Sequence, residues 1–256
     1  MAVKISVCII VKNAEKTLKE CLESLSGFSE IILIDNKSSD GTLKIAKEFN
    51  ENFKNLKIFQ SEFLGFGALK NLAISKASNE WILSIDSDEV LEGETYKEIL
   101  ALKLESNCIY AFPRRNLYRG VWIKACGWSP DFVLRLFNKN YTKFNENLVH
   151  ESVEIPQDSK VIKLQNYLKH YAYNDISTLL QKCNRYSSLW AKQNENLHKK
   201  GGILKALIHG GFKFFRDYFL KKGFLYGYRG FVISLVNGLT SFLKYAKLYE
   251  KGVKWV

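Results

Sequence analysis

Short apolar runs alternate with apolar residues at helical spacing along the first hundred residues. Three runs, at 3–11, 31–34 and 81–85, are almost entirely apolar and rich in β-branched residues, as strands covered on both faces are. A shorter strand is predicted at 56–60. The segments between the strands carry apolar residues three or four positions apart, which predicts helices over 14–26, 42–49 and 65–74. This alternation predicts an α/β protein with a mostly parallel central sheet flanked by helices.

The pattern changes after about residue 108. Residues 108–113 predict a strand, and the basic, aromatic stretch 114–143 has few regular signals. From about residue 175 the chain has helical spacing, interrupted by glycines at 201–202, 210–211, 223, 227 and 230. We therefore place a boundary near residue 170, between a first domain at 1–170 and a helical C-terminal region at 171–256.

Charge is distributed unevenly over the 256 residues, whose net charge is +12. Residues 1–100 carry 12 Lys and Arg against 16 Asp and Glu, a net charge of −4, so residues 101–256 carry +16. A basic half of this kind attracts polyanions, which include phosphorylated substrates, anionic lipid surfaces and nucleic acid.

The five cysteines are scattered and form no close pair in the sequence. This spacing argues against a disulfide framework or a zinc site and favours a reducing cytoplasm. We expect no cleaved leader, because the chain begins directly with an apolar strand. We expect no spanning helix, because no apolar run reaches about 20 residues.

Carboxylates follow two of the predicted strands. Asp86 and Asp88 follow the strand at 81–85, and Asp35 ends the strand at 31–34. Ligands of parallel sheets bind beyond the carboxyl ends of strands. Two carboxylates one residue apart suit a divalent cation shared with phosphate oxygens, and a strand end that caps the next helix is the alternative. Asp35 suits a base edge or a ribose, with a turn and helix cap as the alternative.

Lys70 lies one turn into a predicted helix that begins with Gly65 and Gly67. A helix N-terminus with a lysine nearby can bind a phosphate or a nucleotide. A plain loop that contains two glycines is the alternative.

Four segments of the first half occur in a characteristic order and spacing: VCIIVKN at 7–13, IDNKSSDGT at 34–42, GFGALKN at 65–71 and WILSIDSDE at 81–89. Together they resemble the family 2 inverting glycosyltransferases of the GT-A fold. The resemblance continues through GWSPD, LRLF, VHE and GFL, at 127–131, 134–137, 149–151 and 223–225. These later segments resemble the bacterial branch that adds β-linked glucose to the heptose of the lipopolysaccharide inner core.

This resemblance implies a Rossmann-like GT-A domain over 1–170 that binds a nucleotide sugar and performs catalysis. Residues 171–256 would form a basic, aromatic extension on the acceptor and membrane side. The implied reaction moves a hexose, with glucose as the first candidate, from a UDP-sugar to a lipopolysaccharide or lipooligosaccharide core acceptor. It is a metal-assisted direct displacement with inversion, and another cell-surface glycan is the alternative acceptor.

The resemblance also implies roles for single residues. Asp35 would contact the uracil or its ribose, and Lys70 would lie near the nucleotide. Asp86 would hold the ribose or a metal-bound water, and Asp88 would ligate Mg²⁺ or Mn²⁺. Asp131 would be the base that takes the proton from the acceptor hydroxyl. A helix cap is the alternative for Asp131.

Two histidines and one glutamate complete the candidate site. The resemblance suggests His150 as a further metal or phosphate ligand, with a half-buried strand histidine as the alternative. Glu151 is the alternative base. We expect His170 to be structural or to face the acceptor rather than to bind metal.

Residues 203–249 mix eight Lys and Arg with many Phe, Tyr and Leu. Cations beside aromatic residues suit a helix in a membrane interface, and inward packing of these rings is the alternative. We therefore expect a cytoplasmic enzyme, peripheral on the anionic inner face of the cell membrane, with a lipid-linked core oligosaccharide as its acceptor.

Two other classes of function compete with this interpretation. The basic half suggests a non-enzymatic nucleic-acid-binding protein, but no known nucleic-acid motif is present and the acidic positions would repel phosphate without metal. We therefore expect no nucleic-acid partner. A noncatalytic sugar-nucleotide binder is the other alternative, and the presence of a candidate base argues against it.

Overall fold

The computed structural model describes residues 4–145, 151–196 and 201–252. The chain forms two compact units. The first consists of Met1–Arg115 and Asp131–His170, and the second of Asn116–Pro130 and Tyr171–Val256. The helical region predicted from residue 171 is therefore joined by residues 116–130, which we expected to belong to the first domain.

The strands of the described residues form one mixed sheet. They are β1 (Ile5–Val11), β2 (Glu30–Asp35), β3 (Leu56–Gln60), β4 (Trp81–Asp86), β5 (Glu89–Leu91), β6 (Cys108–Tyr118), β7 (Val121–Trp122), β8 (Phe132–Asn138), β9 (Lys160–Lys163) and β10 (Leu168–Tyr173). Their order is β3-β2-β1-β4-β8-β6-β10-β5, with β7 and β9 pairing with β6 outside this order. Strands β3, β2, β1 and β4 are parallel, and β8 is antiparallel to both of its neighbours.

Helices of the first unit cover both faces of the parallel strands. They are α1 (Leu18–Ser24), α2 (Thr42–Phe53), α3 (Phe66–Lys76) and α4 (Gly93–Ala101). Side chains alternate along each strand, so Val7 and Ile9 of β1 join the core that α1 and α2 cover, whereas Cys8 joins the core that contains Leu69 of α3. The predicted α/β class, with a mostly parallel sheet flanked by helices, is confirmed.

Several strands lie in segments whose residues show few regular signals. The predicted strand at 108–113 extends to Tyr118 as β6, and β8 lies inside the stretch 114–143. Arg135 interrupts the apolar pattern of β8, yet it is buried there. All four residues of β9 are exposed, so no apolar alternation marks that strand.

The second unit consists mainly of helices. Its elements from residue 176 onward are α5 (Ile176–Asn196), α6 (Ile203–Phe215), a π-helical turn (Arg216–Leu220), a 3₁₀ turn (Gly223–Tyr226) and α7 (Gly227–Gly252). No helix in the described part of the chain combines the length and apolar character needed to cross a membrane.

Glycines at 210–211 and 230 do not interrupt the helices, contrary to the sequence expectation. Gly210 lies inside α6, where a Cβ atom would be 2.9 Å from Cβ of Phe242 and 3.2 Å from the carbonyl oxygen of Gly238, both in α7. Gly210 therefore allows the backbones of α6 and α7 to approach closely.

Candidate active site

Asp35 and Asp86 lie at the carboxyl ends of β2 and β4, the two parallel strands on either side of β1. The strand register pairs Val11 of β1 with Asp35 of β2, and Ile10 of β1 with Asp86 of β4. Both carboxylates therefore lie at one edge of the sheet, where ligands of α/β proteins bind.

Asp35, the last residue of β2, is fully buried. It accepts hydrogen bonds from the backbone N–H of Ser38, at 3.2 Å from each oxygen, and from Nε2 of Gln60 at 3.2 Å. Asp40 closes the turn before α2, since its Oδ1 accepts from the backbone N–H of Thr42 at 3.0 Å, and the N-cap position of α2 is Gly41. Asp35 is therefore held by the turn that follows β2, and it does not cap α2.

Two buried cations bind the carboxylate of Asp86. Nζ of Lys70, from α3, lies 2.9 Å from Oδ1, and the guanidinium of Arg135, from β8, binds Oδ2. Burial alone would raise the pKa of Asp86, but the positive charges of Arg135 and Lys70 outweigh it and hold this pKa well below its ordinary range. Asp86 is therefore an ionised carboxylate held from two sides.

Glu89, the first residue of β5, is fully buried and binds two arginines. Its Oε1 accepts from Nη2 of Arg135 at 2.7 Å and from Nη1 of Arg114 at 3.2 Å. Its Oε2 accepts from the backbone N–H of Asp86 at 3.1 Å. Burial of an ionised carboxylate is costly unless it is paired, and these contacts provide the pairing. No sequence signal marked Glu89 for this position, because its arginine partners are 25 and 46 residues away.

Asp131 directly precedes β8 and is held by Arg114 of β6. The backbone N–H of Arg114 donates to the carbonyl of Asp131 at 2.8 Å. Its guanidinium donates to Oδ2 of Asp131, from Nε at 2.9 Å and from Nη2 at 2.8 Å. Because a strand follows Asp131, the helix-cap alternative is wrong for this residue.

Glu151, the alternative base, is also paired with a cation. Its Oε1 lies 3.2 Å from Nζ of Lys70, the same ammonium group that binds Asp86. Lys70 is 4% exposed and lies 5.1 Å from the ring centre of Phe144. The ammonium is therefore fixed between two carboxylates and an aromatic face.

These contacts join seven side chains into one series of alternating charge, which we call the charge series: Glu151, Lys70, Asp86, Arg135, Glu89, Arg114 and Asp131. Four carboxylates alternate with three cations, and each cation bridges two carboxylates. Such networks position their members more strongly than isolated pairs do, because every group restrains its neighbours. The charge series connects Asp86 to both candidate bases.

Asp88 lies in the turn between β4 and β5 and faces a histidine of β10. Nε2 of His170 is 3.5 Å from Oδ2 of Asp88, and His170 is opposite Glu89 in the strand register. Since α4 begins only at Gly93, after β5, neither Asp86 nor Asp88 caps a helix. From the sequence we expected His170 to be structural or to face the acceptor, and the structure places it beside the carboxylate of Asp88.

His150, the predicted further metal ligand, lies outside the described residues. Within 4–145, 151–196 and 201–252, no three or more His, Cys, Asp or Glu side chains are grouped so that they could hold a metal ion. Arg114 and Arg135 belong to the basic half of the chain, where solvated cations would attract polyanions. The structure instead engages both in the charge series.

Known proteins match this chain in sequence. Residues 6–151 match the family described as Glycosyl transferase family 2. An uncharacterized glycosyltransferase of Rickettsia typhi is 31% identical over 264 residues, covering 98% of this chain and 88% of the relative. The lipopolysaccharide core biosynthesis glycosyltransferase LpsC of Rhizobium meliloti is 25% identical over 253 residues, covering 96% of this chain and 92% of the relative.

Solved structures match the fold. S. aureus TarS 1-349 in complex with UDP has a TM-score of 0.51 at 18% identity, over 99% of this chain and 93% of that one. The mannosyltransferase PcManGT from Pyrobaculum calidifontis, in complex with GDP-Man and Mn²⁺, has a TM-score of 0.54 at 11% identity, over 100% of this chain and 77% of that one. At these identities the likeness shows the fold alone. Since the family match spans more than half of the chain, the chain belongs to glycosyl transferase family 2 and has the GT-A fold.

Proposed function

We propose that this chain is an inverting hexosyltransferase. It moves a hexose, with glucose as the first candidate, from UDP to a heptose of a lipopolysaccharide or lipooligosaccharide core. The observation that carries the proposal is the charge series, which connects Asp86, at the ligand-binding edge of the sheet, to Asp131, the candidate base. The match to LpsC supports a core acceptor, and another cell-surface glycan is the alternative.

The donor occupies the carboxyl edge of the parallel strands in this proposal. Asp35 contacts the uracil or its ribose, and Asp86 contacts the ribose or a water bound to the metal. Lys70 provides a fixed positive charge near the nucleotide, since its ammonium lies 2.9 Å from Asp86. The complex of TarS with UDP supports a uridine donor.

The side chains at the turn that contains Asp88 are suitable ligands for a divalent cation. The carboxylate of Asp88 and the imidazole of His170 lie 3.5 Å apart, close enough to share one ion, and Mn²⁺ and Mg²⁺ take carboxylate and phosphate oxygens. We assign Asp88 as the principal protein ligand and His170 as a second one, with His150 as a further candidate. The bound cation supplies charge neutralisation of the departing diphosphate. The Mn²⁺ in the PcManGT complex supports such an ion.

Asp131 acts as the base in this proposal. It accepts the proton of the acceptor hydroxyl while that oxygen attacks the anomeric carbon from the face opposite the departing diphosphate, so the configuration inverts once. Arg114 holds the carboxylate of Asp131 through two guanidinium contacts and thereby fixes its position. Glu151 is the alternative base, and its contact with Lys70 holds it near Asp86.

The acceptor in this proposal is a lipid-linked core oligosaccharide at the cytoplasmic face of the cell membrane. A lipid anchor restricts such an acceptor to the membrane surface, so a peripheral enzyme meets it there. Nucleic acid is not a partner in this proposal. Membership of a sugar-transferring family supports a glycan acceptor over the nucleic-acid alternative.

A donor screen tests the proposal. We expect UDP-glucose with Mn²⁺ or Mg²⁺ to raise the melting temperature more than UDP-galactose, UDP-N-acetylglucosamine or GDP-mannose, because ligands that bind only the folded state stabilise it. Asp88→Ala should abolish metal-dependent transfer, whereas Asp158→Ala, an exposed carboxylate elsewhere in the same unit, should leave it unchanged. Absence of stabilisation by every UDP-sugar would reject the proposal.

A further inference from the structure

The outward side of α6 is apolar, which inverts the usual pattern of a helix on a globular protein. Six large side chains of this helix are 48–73% exposed: Ile203, Leu204, Leu207, Ile208, Phe212 and Phe215. Ala206 and Gly210, on the other side of the helix, are buried. Ala206 and Gly210 therefore lie toward the rest of the unit, and these six large apolar side chains face outward.

This exposed surface continues beyond α6. From Phe219 to Leu235, seven more large apolar side chains are each at least 44% exposed, and Leu220 and Leu225 reach 64% and 66%. Ring contacts continue the surface past the end of α6, since the ring centre of Phe215 lies 5.1 Å from that of Phe219, and the ring centre of Tyr218 lies 6.4 Å from that of Phe224. We call the exposed apolar side chains of residues 203–239 the apolar face. Protein surfaces rarely expose a contiguous apolar patch of this extent without an interaction partner.

An apolar groove between α6 and α7 lies within this surface. It encloses about 370 Å³ and is lined only by apolar residues and glycines, among them Leu207, Leu235 and Leu239. Gly210, Gly211 and Gly238 lie along it, and a Cβ atom on Gly211 would meet nothing within 4 Å, so the groove is open at that glycine. The apolar face therefore combines projecting side chains with a recess that can receive hydrocarbon.

The exposed charges of residues 201–249, the segment that carries the apolar face, are all of one sign. Residues 201–249 contain eight Lys and Arg and one acidic residue, Asp217. Asp217 is fully buried and binds Nζ of Lys213 at 2.7 Å and Nδ2 of Asn237 at 2.8 Å. The ionised side chains that this segment exposes are therefore cations, which complement an anionic surface.

We propose that the apolar face inserts into the headgroup region of an anionic phospholipid bilayer, with the cations of residues 201–249 bound to lipid phosphates. A second copy of the chain is a poorer occupant, because pairing two such faces would bring like charges together. The proposed function places the enzyme at a membrane surface, and the present proposal identifies the residues that contact that surface. It rests on the proposed function only for the identity of the acceptor. Each cation near an anionic membrane increases binding by about fivefold.

Vesicle flotation of the full chain tests this surface. We expect binding to vesicles that contain phosphatidylglycerol, weaker binding to pure phosphatidylcholine, and weakening but not loss of binding in about 1 M salt. Leu204→Gln combined with Ile208→Gln should reduce binding by at least about tenfold, because both side chains leave the lipid. The matched control is Leu100→Gln combined with Ile155→Gln, at aliphatic positions of the first unit that are 53% and 58% exposed, which should bind as the unaltered chain does.

Absence of vesicle binding by the unaltered chain would overturn the proposal, and so would equal binding by the Leu204→Gln/Ile208→Gln variant. A dimer of the unaltered chain that becomes monomeric in this variant would also overturn it and assign the face to a second copy. Stabilisation by UDP-glucose, measured on the same samples, separates the two proposals. A variant that still binds the donor but not vesicles is folded, and vesicle binding without donor binding would reject only the proposed reaction.

Discussion

Replacement of Asp131 by Asn removes the proposed base while it disturbs the site little. Asn is nearly isosteric with Asp, and its carbonyl oxygen can still accept hydrogen bonds from Arg114. Arg114 also keeps its contact with Glu89 at 3.2 Å, so the guanidinium stays paired. The substitution therefore tests proton removal rather than the integrity of the charge series.

The expected losses differ in size for rate and for stability. A positioned base contributes about 10²–10⁴-fold to the rate, which corresponds to about 3–5 kcal/mol of activation free energy. The Asp131–Arg114 pair is partly exposed, with side-chain exposures of 28% and 19%. We therefore expect a loss of only about 1 kcal/mol in unfolding free energy.

The assay compares transfer with donor binding. We expect Asp131→Asn to lower kcat for transfer to a core acceptor by at least about 100-fold, with the Kd for the UDP-sugar unchanged. Glu92→Gln is the matched control, since it neutralises a carboxylate that binds the adjacent arginine, Arg115, at 3.0 Å but has no proposed role. It should transfer at the unaltered rate.

A second variant, Glu151→Gln, decides how unchanged transfer by Asp131→Asn is interpreted. Full transfer by Asp131→Asn, together with loss of transfer in Glu151→Gln, would refute our assignment and move the base to Glu151. Loss of donor binding in Asp131→Asn would show that the residue supports the donor site instead.

Two further predictions concern stability. Burial alone would raise the pKa of Glu30, but hydrogen bonds from Lys57 and two serines outweigh it and lower this pKa from 4.5 to about 2. Glu30→Gln should therefore lower the free energy of unfolding by about 3 kcal/mol at neutral pH, measured by urea denaturation. This difference between the variant and the unaltered chain should disappear as the pH falls from 4.5 through 2, and a difference that does not change with pH would contradict the argument. A Cβ atom on Gly230 would lie 1.8 Å from the carbonyl oxygen of Gly223, so Gly230→Ala should lower the unfolding free energy by at least about 2 kcal/mol. Gly211→Ala, where nothing lies within 4 Å, should not destabilise the protein, and equal losses in both variants would refute the steric argument.

Local pattern was sufficient to predict the parallel half of the sheet. Strands β1, β2 and β4 are continuous apolar runs because both of their faces are covered, and that requirement is visible along the chain itself. The predicted ends of β2 and β4 were enough to bring Asp35 and Asp86 to one edge of the sheet, since the carboxyl ends of parallel strands lie on the same side. Glycines in the second half led to a wrong prediction of helix ends. In the sequence, a glycine that allows two helices to approach closely looks the same as a glycine that ends a helix.

The antiparallel strands required tertiary information. Strand β8 carries Arg135, whose charge is tolerated in a buried position only because Asp86 and Glu89 lie against it. No local pattern indicates that pairing, since Arg135 and Asp86 are 49 residues apart. The position of β9 likewise depends on its partner β6 rather than on its own exposed residues.

The sequence alone therefore determined the fold class and placed Asp86 and Asp88 after a strand, because apolar runs and strand ends are local properties. Asp131 was a candidate only through the resemblance to a known family. The tertiary structure decided which charges meet. It brought Lys70, Arg135 and Arg114 between the carboxylates, placed His170 beside Asp88, and turned the large apolar side chains of α6 outward. These outcomes depend on contacts between residues that are distant along the chain, and only the folded packing of strands and helices determines them.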